Sequence, residues 1–403
     1  MKIAFIHNNA KTGATAHAIM LAKRLQDKME VVFLVCNLIE TGADFSSLKN
    51  VREFSYSETQ RHSYANKWPL HVSLLVRLRM LLFHLRLLRP LDKITPLWQP
   101  FRTMEKQWLF RHSPLPKELE EYLRQHDGEF DAYVILGNFT GPAFHLKEKY
   151  AHKTVLIPLV HMEMPQFILS VHDISRRYPF LAFNTSAERR LCHRIHDTPL
   201  SAPVIGSGIE ISKQNPETWN TFLSQHPIHG DYLLYVGRIT RRKTGHLFDY
   251  FTRYKQKHPS PLKLIVAGDS YLSSAIRRDD IIFLGFVSET LKNELIHHAA
   301  IVINPSQVES LSLIVLEAMH AGVPIVVNGK CEVLKDHCDQ SHAGMYYTDY
   351  SSFEQALDSL LPCPSLRITL GKNGQTYEAA NYSWPVILQK WENLLTCVSE
   401  ANH

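Results

Sequence analysis

The sequence predicts an α/β protein with two domains of parallel sheet. Three observations point there: short apolar runs alternate with helical patterns almost throughout, 403 residues suffice for two buried cores, and a strand running into glycine begins again at Tyr232 to Gly237. Alternation of this kind places helices on both faces of a parallel sheet. At 45% hydrophobic and 21% charged the composition is globular, with no visible repeat or low-complexity tract.

The first strand is Lys2 to His7, followed by a loop from Asn8 to Gly13 and a helix from about Ala14 with Ala18, Leu21, Ala22 and Leu25 on its inner face. Val31 to Val35 completes a βαβ start. The charged Lys2 leads straight into core strand, so no signal peptide is expected and the cytoplasm is the expected location. Later strands are expected at Ala132 to Leu136, Thr154 to Leu159, Leu181 to Asn184 and Pro203 to Ile205. Residues 206–230, rich in Asn, Pro, His and Gln from Ile211 on, read as a linker with a short helix. The second domain, about 231–380, has expected strands at Tyr232 to Gly237, Lys263 to Ala267, Ile281 to Leu284, Ala300 to Ile303 and Val323 to Val327. The segment 381–403 reads as an amphipathic helix, packed through Trp384, Leu388, Trp391 and Leu395 and crossing back to the first domain, 1–205.

Cysteines at 36, 192, 331, 338, 363 and 397 form no CxxC pair, and the histidines lack HExxH-like spacing. Buried or free thiols in a reducing compartment, and no metal, are the expectation.

Chemistry concentrates in the run Glu309 to Met319, between Asn304-Pro305-Ser306 and Ala321-Gly322-Val323-Pro324. One carboxylate precedes an apolar helix and the other lies within it, at the carboxyl end of a strand, with Ser310 and Ser312 as candidate N-caps. In an open α/β sheet this edge binds ligands, and the helix terminus favours a diphosphate. Carboxylates would repel a diphosphate, so Glu309 and Glu317 are expected to accept hydrogen bonds from sugar or ribose hydroxyls. The plainer alternative is one exposed loop Glu and one helix Glu favoured by the dipole. A second cluster, Gly237 to Gly245, follows a strand and opens a helix. It brings Arg238 and Lys243 to the same edge, where fixed cations would neutralise a leaving diphosphate. Read singly, it is a solvated basic turn.

Val236-Gly237-Arg238 with Lys243, Val266-Ala267-Gly268-Asp269, Phe283-Leu284-Gly285-Phe286-Val287, and Pro305-Ser306 before Glu309 and Glu317-Ala318-Met319 together resemble the retaining family 4 glycosyltransferases (glycosyl transferases group 1). The likeness is strong over about 231–350 and rests on element order alone before that. It implies the GT-B architecture, two Rossmann-like domains with parallel sheets facing a central cleft. It further implies an acceptor-side first domain, a nucleotide-sugar second domain, and metal-independent transfer of a hexosyl unit from a UDP- or GDP-sugar with retention at the anomeric carbon. The acceptor would be a glycan or lipid-linked saccharide, as in polysaccharide biosynthesis.

Residue by residue, Arg238 and Lys243 match the basic pair on the donor diphosphate, Glu317 the group on the ribose, and Glu309 the group on the donor sugar. His161, at the end of a strand, matches an interdomain His near the transferred sugar, although a lone His there is often structural. Gly13 matches a point of close backbone approach. Gly237, Gly268, Val287, Ser310, Leu311, Ser312 and Leu313 complete the implied donor contacts. Two departures stand out: Ser310, Leu311 and Ser312 replace the glycines common after the first Glu, and a single Gly13 replaces a pair. Serine keeps the backbone N–H, so phosphate binding survives unless the loop requires φ > 0.

Between Gln60 and Lys117, eleven Lys or Arg stand against Asp92 and Glu105, an excess of nine where the whole chain carries +5. Leu74, Leu78, Leu81, Leu85 and Leu88 form one helical stripe, with Arg79, Arg86 and Arg89 on the other side. Val76, Met80, Phe83 and Leu87 form a second stripe, interrupted by Arg77 and His84. The arginines argue against a transmembrane span. Two readings stay open: a basic amphipathic surface on the inner face of a membrane, or a stripe packed on the first domain with solvated arginines. Trp68, Trp98, Phe101 and Trp108 would suit nucleic acid, but no binding motif accompanies them. Other functional classes are a catalytically degenerate nucleotide-sugar-binding or scaffold protein, a nucleotide-sugar epimerase, and a phosphorylase, for which no cofactor lysine or phosphate pocket is identifiable.

Overall fold

The computed structural model describes residues 1–8, 13–37, 44–56, 69–269 and 278–402. It divides into two compact units, one comprising Met1–Gly208 with Ile387–His403 and the other Ile209–Val386. The first unit carries strands β1 (Lys2–Asn8), β2 (Glu30–Asn37), β3 (Val51–Ser55), β4 (Ala132–Leu136), β5 (Thr154–Ile157) and β6 (Phe180–Leu181), in the order β3-β2-β1-β4-β5-β6. The second carries β7 (Tyr232–Val236), β8 (Lys263–Ala267), β9 (Ile281–Gly285), β10 (Ile301–Asn304), β11 (Ile325–Asn328) and β12 (Gly344–Tyr347), in the order β12-β11-β10-β7-β8-β9. All pairings are parallel. Counted from its own first strand, each sheet has the order 3-2-1-4-5-6, the doubly wound Rossmann arrangement.

The apolar runs form central strands because both faces are covered. Every residue of β4, β5, β10 and β11 is buried. The edge strands β3 and β12 escaped the sequence reading, since Val51–Ser55 carries Arg52 and Glu53 exposed and Gly344–Tyr347 is mostly half-buried. At the other edge, the strands expected at Leu181 to Asn184 and Pro203 to Ile205 shrink to Phe180–Leu181 and a single bridge between Phe183 and Val204. The last helix, Trp384–Glu400, buries Ile387, Trp391, Leu395 and Val398, so its packing stripe is turned from the one expected: Trp384 and Leu388 are only half-buried. Its residues from Ile387 on belong to the first unit.

The basic segment is helical at Leu70–His84, Leu88–Asp92 and Thr95–His112; its residues 60–68, Trp68 included, lie outside the described residues, as do 9–12 of the first loop. Val72, Leu75, Val76 and Arg79 form the buried face of Leu70–His84, and Met80 and Phe83 pack against the first unit's core. The expectation of solvated arginines fails at Arg79. Its side chain is fully buried, donates to Asp92 Oδ2 at 3.0 Å and to the Phe167 carbonyl at 2.8 Å, and lies over the Trp98 ring. Trp98 and Trp108 are core residues, which takes two of the four aromatics from the nucleic-acid argument and leaves Phe101 exposed.

Candidate active site

In the second unit the strand order reverses between β7 and β10, and the loops after these two neighbours carry the predicted chemistry. After β7, Gly237 takes φ 150° and Gly268, at the end of β8, takes φ 141°, conformations that side chains rarely adopt. A Cβ on Gly268 would stand 2.0 Å from the Gly237 carbonyl oxygen, so the two strand ends meet only as glycines. The expected helix after Gly237 is one turn, Arg241–Thr244, ended by Gly245 at φ 51°. This turn delivers Lys243 to the β10 loop. Its ammonium donates to Glu309 Oε1 at 2.8 Å and to the Val308 carbonyl at 3.0 Å. Gln307 N donates to the Arg242 carbonyl at 3.0 Å, stitching the two loops along their backbones as well. Arg238 is exposed, and its carbonyl accepts from the Tyr235 hydroxyl at 2.8 Å.

The β10 loop is braced from below. Asn304 accepts from Ser306 N at 3.0 Å and donates to the Ser312 hydroxyl at 2.8 Å, while buried His337 bonds the Leu311 carbonyl at 2.8 Å. Burial lowers the His337 pKa, with the Leu311 carbonyl opposing. Ser312 stands at the N-cap position of Leu313–His320 with φ 74°, and its hydroxyl does not cap that helix. Ser312 is therefore not the hydroxyl cap expected, and the loop takes φ > 0 there, the condition under which the serine expectation lapses. A non-glycine residue held there stores roughly 1–3 kcal/mol of backbone strain, which the Asn304 bond helps to hold. Leu311 and Ser312 are buried, Ser310 and Leu313 half-buried. The first turn of this helix stands without a cap from the Ser312 hydroxyl, at the positive end of the helix dipole.

Glu317 lies on the same helix but is not joined to Lys243. Its partner is Lys292, at 2.9 Å, on the helix Glu289–His297, and Lys292 also reaches Glu289 at 2.6 Å. Burial raises the Glu317 pKa and Lys292 offsets part of that shift. Burial works against the Lys292 ammonium, yet Glu317 and Glu289 outweigh it and raise its pKa. Lys292 was missed by the sequence reading. Only its i,i+3 spacing from Glu289 was visible, and nothing local connects it to a residue 25 positions later.

Val287 is half-buried beyond β9 and lines an open groove of about 540 Å³ with Phe222, Leu284, Phe286 and Leu291. Gly285, two residues before it, accepts from Gly268 N at 2.7 Å.

His161 and Gly13 belong to the first unit. Gly13 starts the helix Gly13–Leu25 and is exposed. His161 follows β5 in a loop where Leu159 takes φ 55°; its Nδ1 bonds the Leu159 carbonyl at 2.9 Å and its Nε2 meets Glu163 Oε2 at 2.9 Å. Beneath it, fully buried Glu188 accepts from Val160 N at 2.8 Å and Asn184 N at 2.7 Å, and burial pushes its carboxyl up to about 8. Glu163 and Glu188 were not singled out in the sequence, though Glu163 stands two residues from His161. Among the described residues no group of His, Cys, Asp and Glu could hold a metal ion.

Residues 230–362 match the family model described as Glycosyl transferases group 1. That region is similar to the group 1 glycosyltransferases. An uncharacterized glycosyltransferase of Methanocaldococcus jannaschii is 28% identical over 178 residues, which are 42% of this chain and 45% of that protein. The chain therefore spans less than half of that curated relative. Across nearly the whole chain the fold is GT-B. Sucrose-phosphate synthase from Thermosynechococcus elongatus superposes with a TM-score of 0.69 at 15% identity, covering 99% of both chains. The Anabaena protein HepE in complex with UDP-glucose superposes with a TM-score of 0.63 at 14% identity, covering 98% of this chain and 100% of that one.

Proposed function

We propose that the protein is a glycosyltransferase that moves a hexosyl unit from a UDP- or GDP-sugar to a glycan or lipid-linked acceptor, with retention at the anomeric carbon and without a metal ion. The observation that carries this reading is the pairing of Lys243 with Glu309 between the loops of β7 and β10, beside the N-terminus of the helix Leu313–His320. Cations and N–H groups there suit a diphosphate, whose departure they would stabilise without reorganising. Lys243 would exchange part of its bond to Glu309 for the donor phosphates, with Arg238 as the second cation. Glu309 would then turn to the sugar hydroxyls, and Glu317, held by Lys292, would accept from the ribose. His161, oriented by Leu159 and Glu163, would position the transferred sugar. Donor contacts at Gly13, Gly237, Gly268, Val287 and Ser310 to Leu313 belong to the same reading, as does a peripheral contact of the basic segment with the inner face of a membrane.

Support for a UDP-sugar comes from the Anabaena structure, which holds UDP-glucose on the same fold. Strained Ser312, in place of a glycine, favours a second reading: donor binding without turnover. Incubating the protein with UDP-, GDP- and ADP-sugars, and following hydrolysis and transfer, separates the two. Turnover of one donor, giving a product of retained configuration, is expected. Binding without turnover would favour the second reading, and no binding of any donor would overturn both.

A further inference from the structure

We infer that the helical segment 69–110 of the first unit lies flat on an anionic lipid bilayer, with the leucine stripe as its contact face and the exposed cations around that stripe. Leu70, Leu74, Leu78, Leu81 and Leu85 are 47–75% exposed. At about 100° per residue these five positions fall within roughly 80° of one another, on the side opposite Val72, Val76 and Arg79. Leu87, Ile94, Phe101, Met104 and Phe110 elsewhere in the segment are also exposed. Five leucines on one side of a helix mark an interaction surface, whereas scattered leucines would not.

Charge decides the occupant. Arg77, Arg86, Lys93 and Lys106 are exposed around the stripe, and the segment's two carboxylates are both withdrawn: Asp92 is held by Arg79, and Glu105 is buried with its carboxyl pushed up to about 7. The exposed charge of the described residues 69–110 is therefore positive throughout. A second copy would set these cations against their own counterparts with no exposed carboxylate in the segment to meet them. An anionic lipid surface answers both features, with phosphates for the cations and acyl chains for the leucines. No helix among the described residues is long and apolar enough to cross a membrane, so the contact is with the surface. This deepens the proposed transfer by giving the acceptor a lipid source, and rests on that proposal for the acceptor alone.

Full-length protein is sedimented with vesicles of equal parts phosphatidylglycerol and phosphatidylcholine, and with phosphatidylcholine alone. Binding to the anionic vesicles is expected to be at least about tenfold tighter and to weaken with salt. Leu74→Gln, Leu78→Gln and Leu81→Gln combined should weaken it about tenfold or more, with far-UV circular dichroism and melting temperature unchanged because all three leucines are exposed. Arg77→Gln, Arg86→Gln, Lys93→Gln and Lys106→Gln combined should reduce it to the phosphatidylcholine level. Absence of vesicle binding by the unaltered protein, or unchanged binding by the leucine variant, overturns the inference. So does a dimer in solution that the leucine variant dissociates, which would assign the face to a second copy. Donor binding without vesicle binding leaves the proposed function standing, and vesicle binding without donor binding leaves the surface standing.

Discussion

The two units share one strand order and differ in where they spend charge. In the second, Lys243 with Glu309 and Lys292 with Glu317 are half-buried beside the point where the strand order reverses. In the first, fully buried Arg79 pairs with partly buried Asp92 and ties together two helices of the basic segment. The same ion-pair chemistry therefore lies at the proposed donor site in one unit and serves packing in the other. Neighbouring backbone tells them apart: a helix N-terminus and glycines at positive φ surround the former, apolar side chains the latter.

The largest effect should come from Arg79. Arg79→Ala leaves Asp92 with no cation in a buried setting, at a cost of about 3–5 kcal/mol. Denaturant unfolding should show that loss while nucleotide-sugar binding by the folded protein is retained. A loss below about 1 kcal/mol would make the pair an ordinary surface bridge and dissolve the contrast.

Lys292 sharpens the other side. Ionised Glu317 is the form that accepts hydrogen bonds from a diol, and burial raises its pKa, so donor affinity should fall as the pH drops through that raised value. Lys292→Met removes the charge that opposes the shift. Affinity near neutrality should drop about tenfold and the midpoint of the pH profile should move up, while Lys292→Arg restores most of both. An unmoved midpoint would reduce Lys292 to a packing residue.

Legibility in the sequence followed the range of the interactions. Central strands such as Ala132–Leu136 and Lys263–Ala267 were read to the residue because burial on both faces writes an uninterrupted apolar run. Edge strands β3 and β12 were not, because one exposed side dilutes the run with polar residues. Glu309 and Lys243 were legible as types at loop positions, and the structure joins them. Lys292 and the depth of Arg79 were invisible because each depends on a partner from another element. The leucine stripe was seen from Leu74 to Leu85, but Leu88, counted with it, is buried in the next helix, and periodicity alone does not say which of two apolar faces turns inward.

Ser312 should give the smallest effect. Ser312→Gly relieves the strain at φ 74° and loses the Asn304 bond, two terms that nearly cancel, leaving stability within about 1 kcal/mol of the parent. Ser312→Val, β-branched at positive φ, should cost more than about 2 kcal/mol. Equal costs by thermal unfolding would show that the loop does not hold that conformation.

The central claim is that the second unit grips a nucleotide sugar through two carboxylates with separate duties. Calorimetric titration of UDP and UDP-glucose, and of GDP and GDP-mannose, into the unaltered protein, Glu309→Ala and Glu317→Ala tests it directly. Glu317→Ala should weaken nucleotide and nucleotide sugar alike by about tenfold, whereas Glu309→Ala should weaken the nucleotide sugar and leave the free nucleotide nearly unchanged. Equal and small effects of the two substitutions on both ligands would contradict the account.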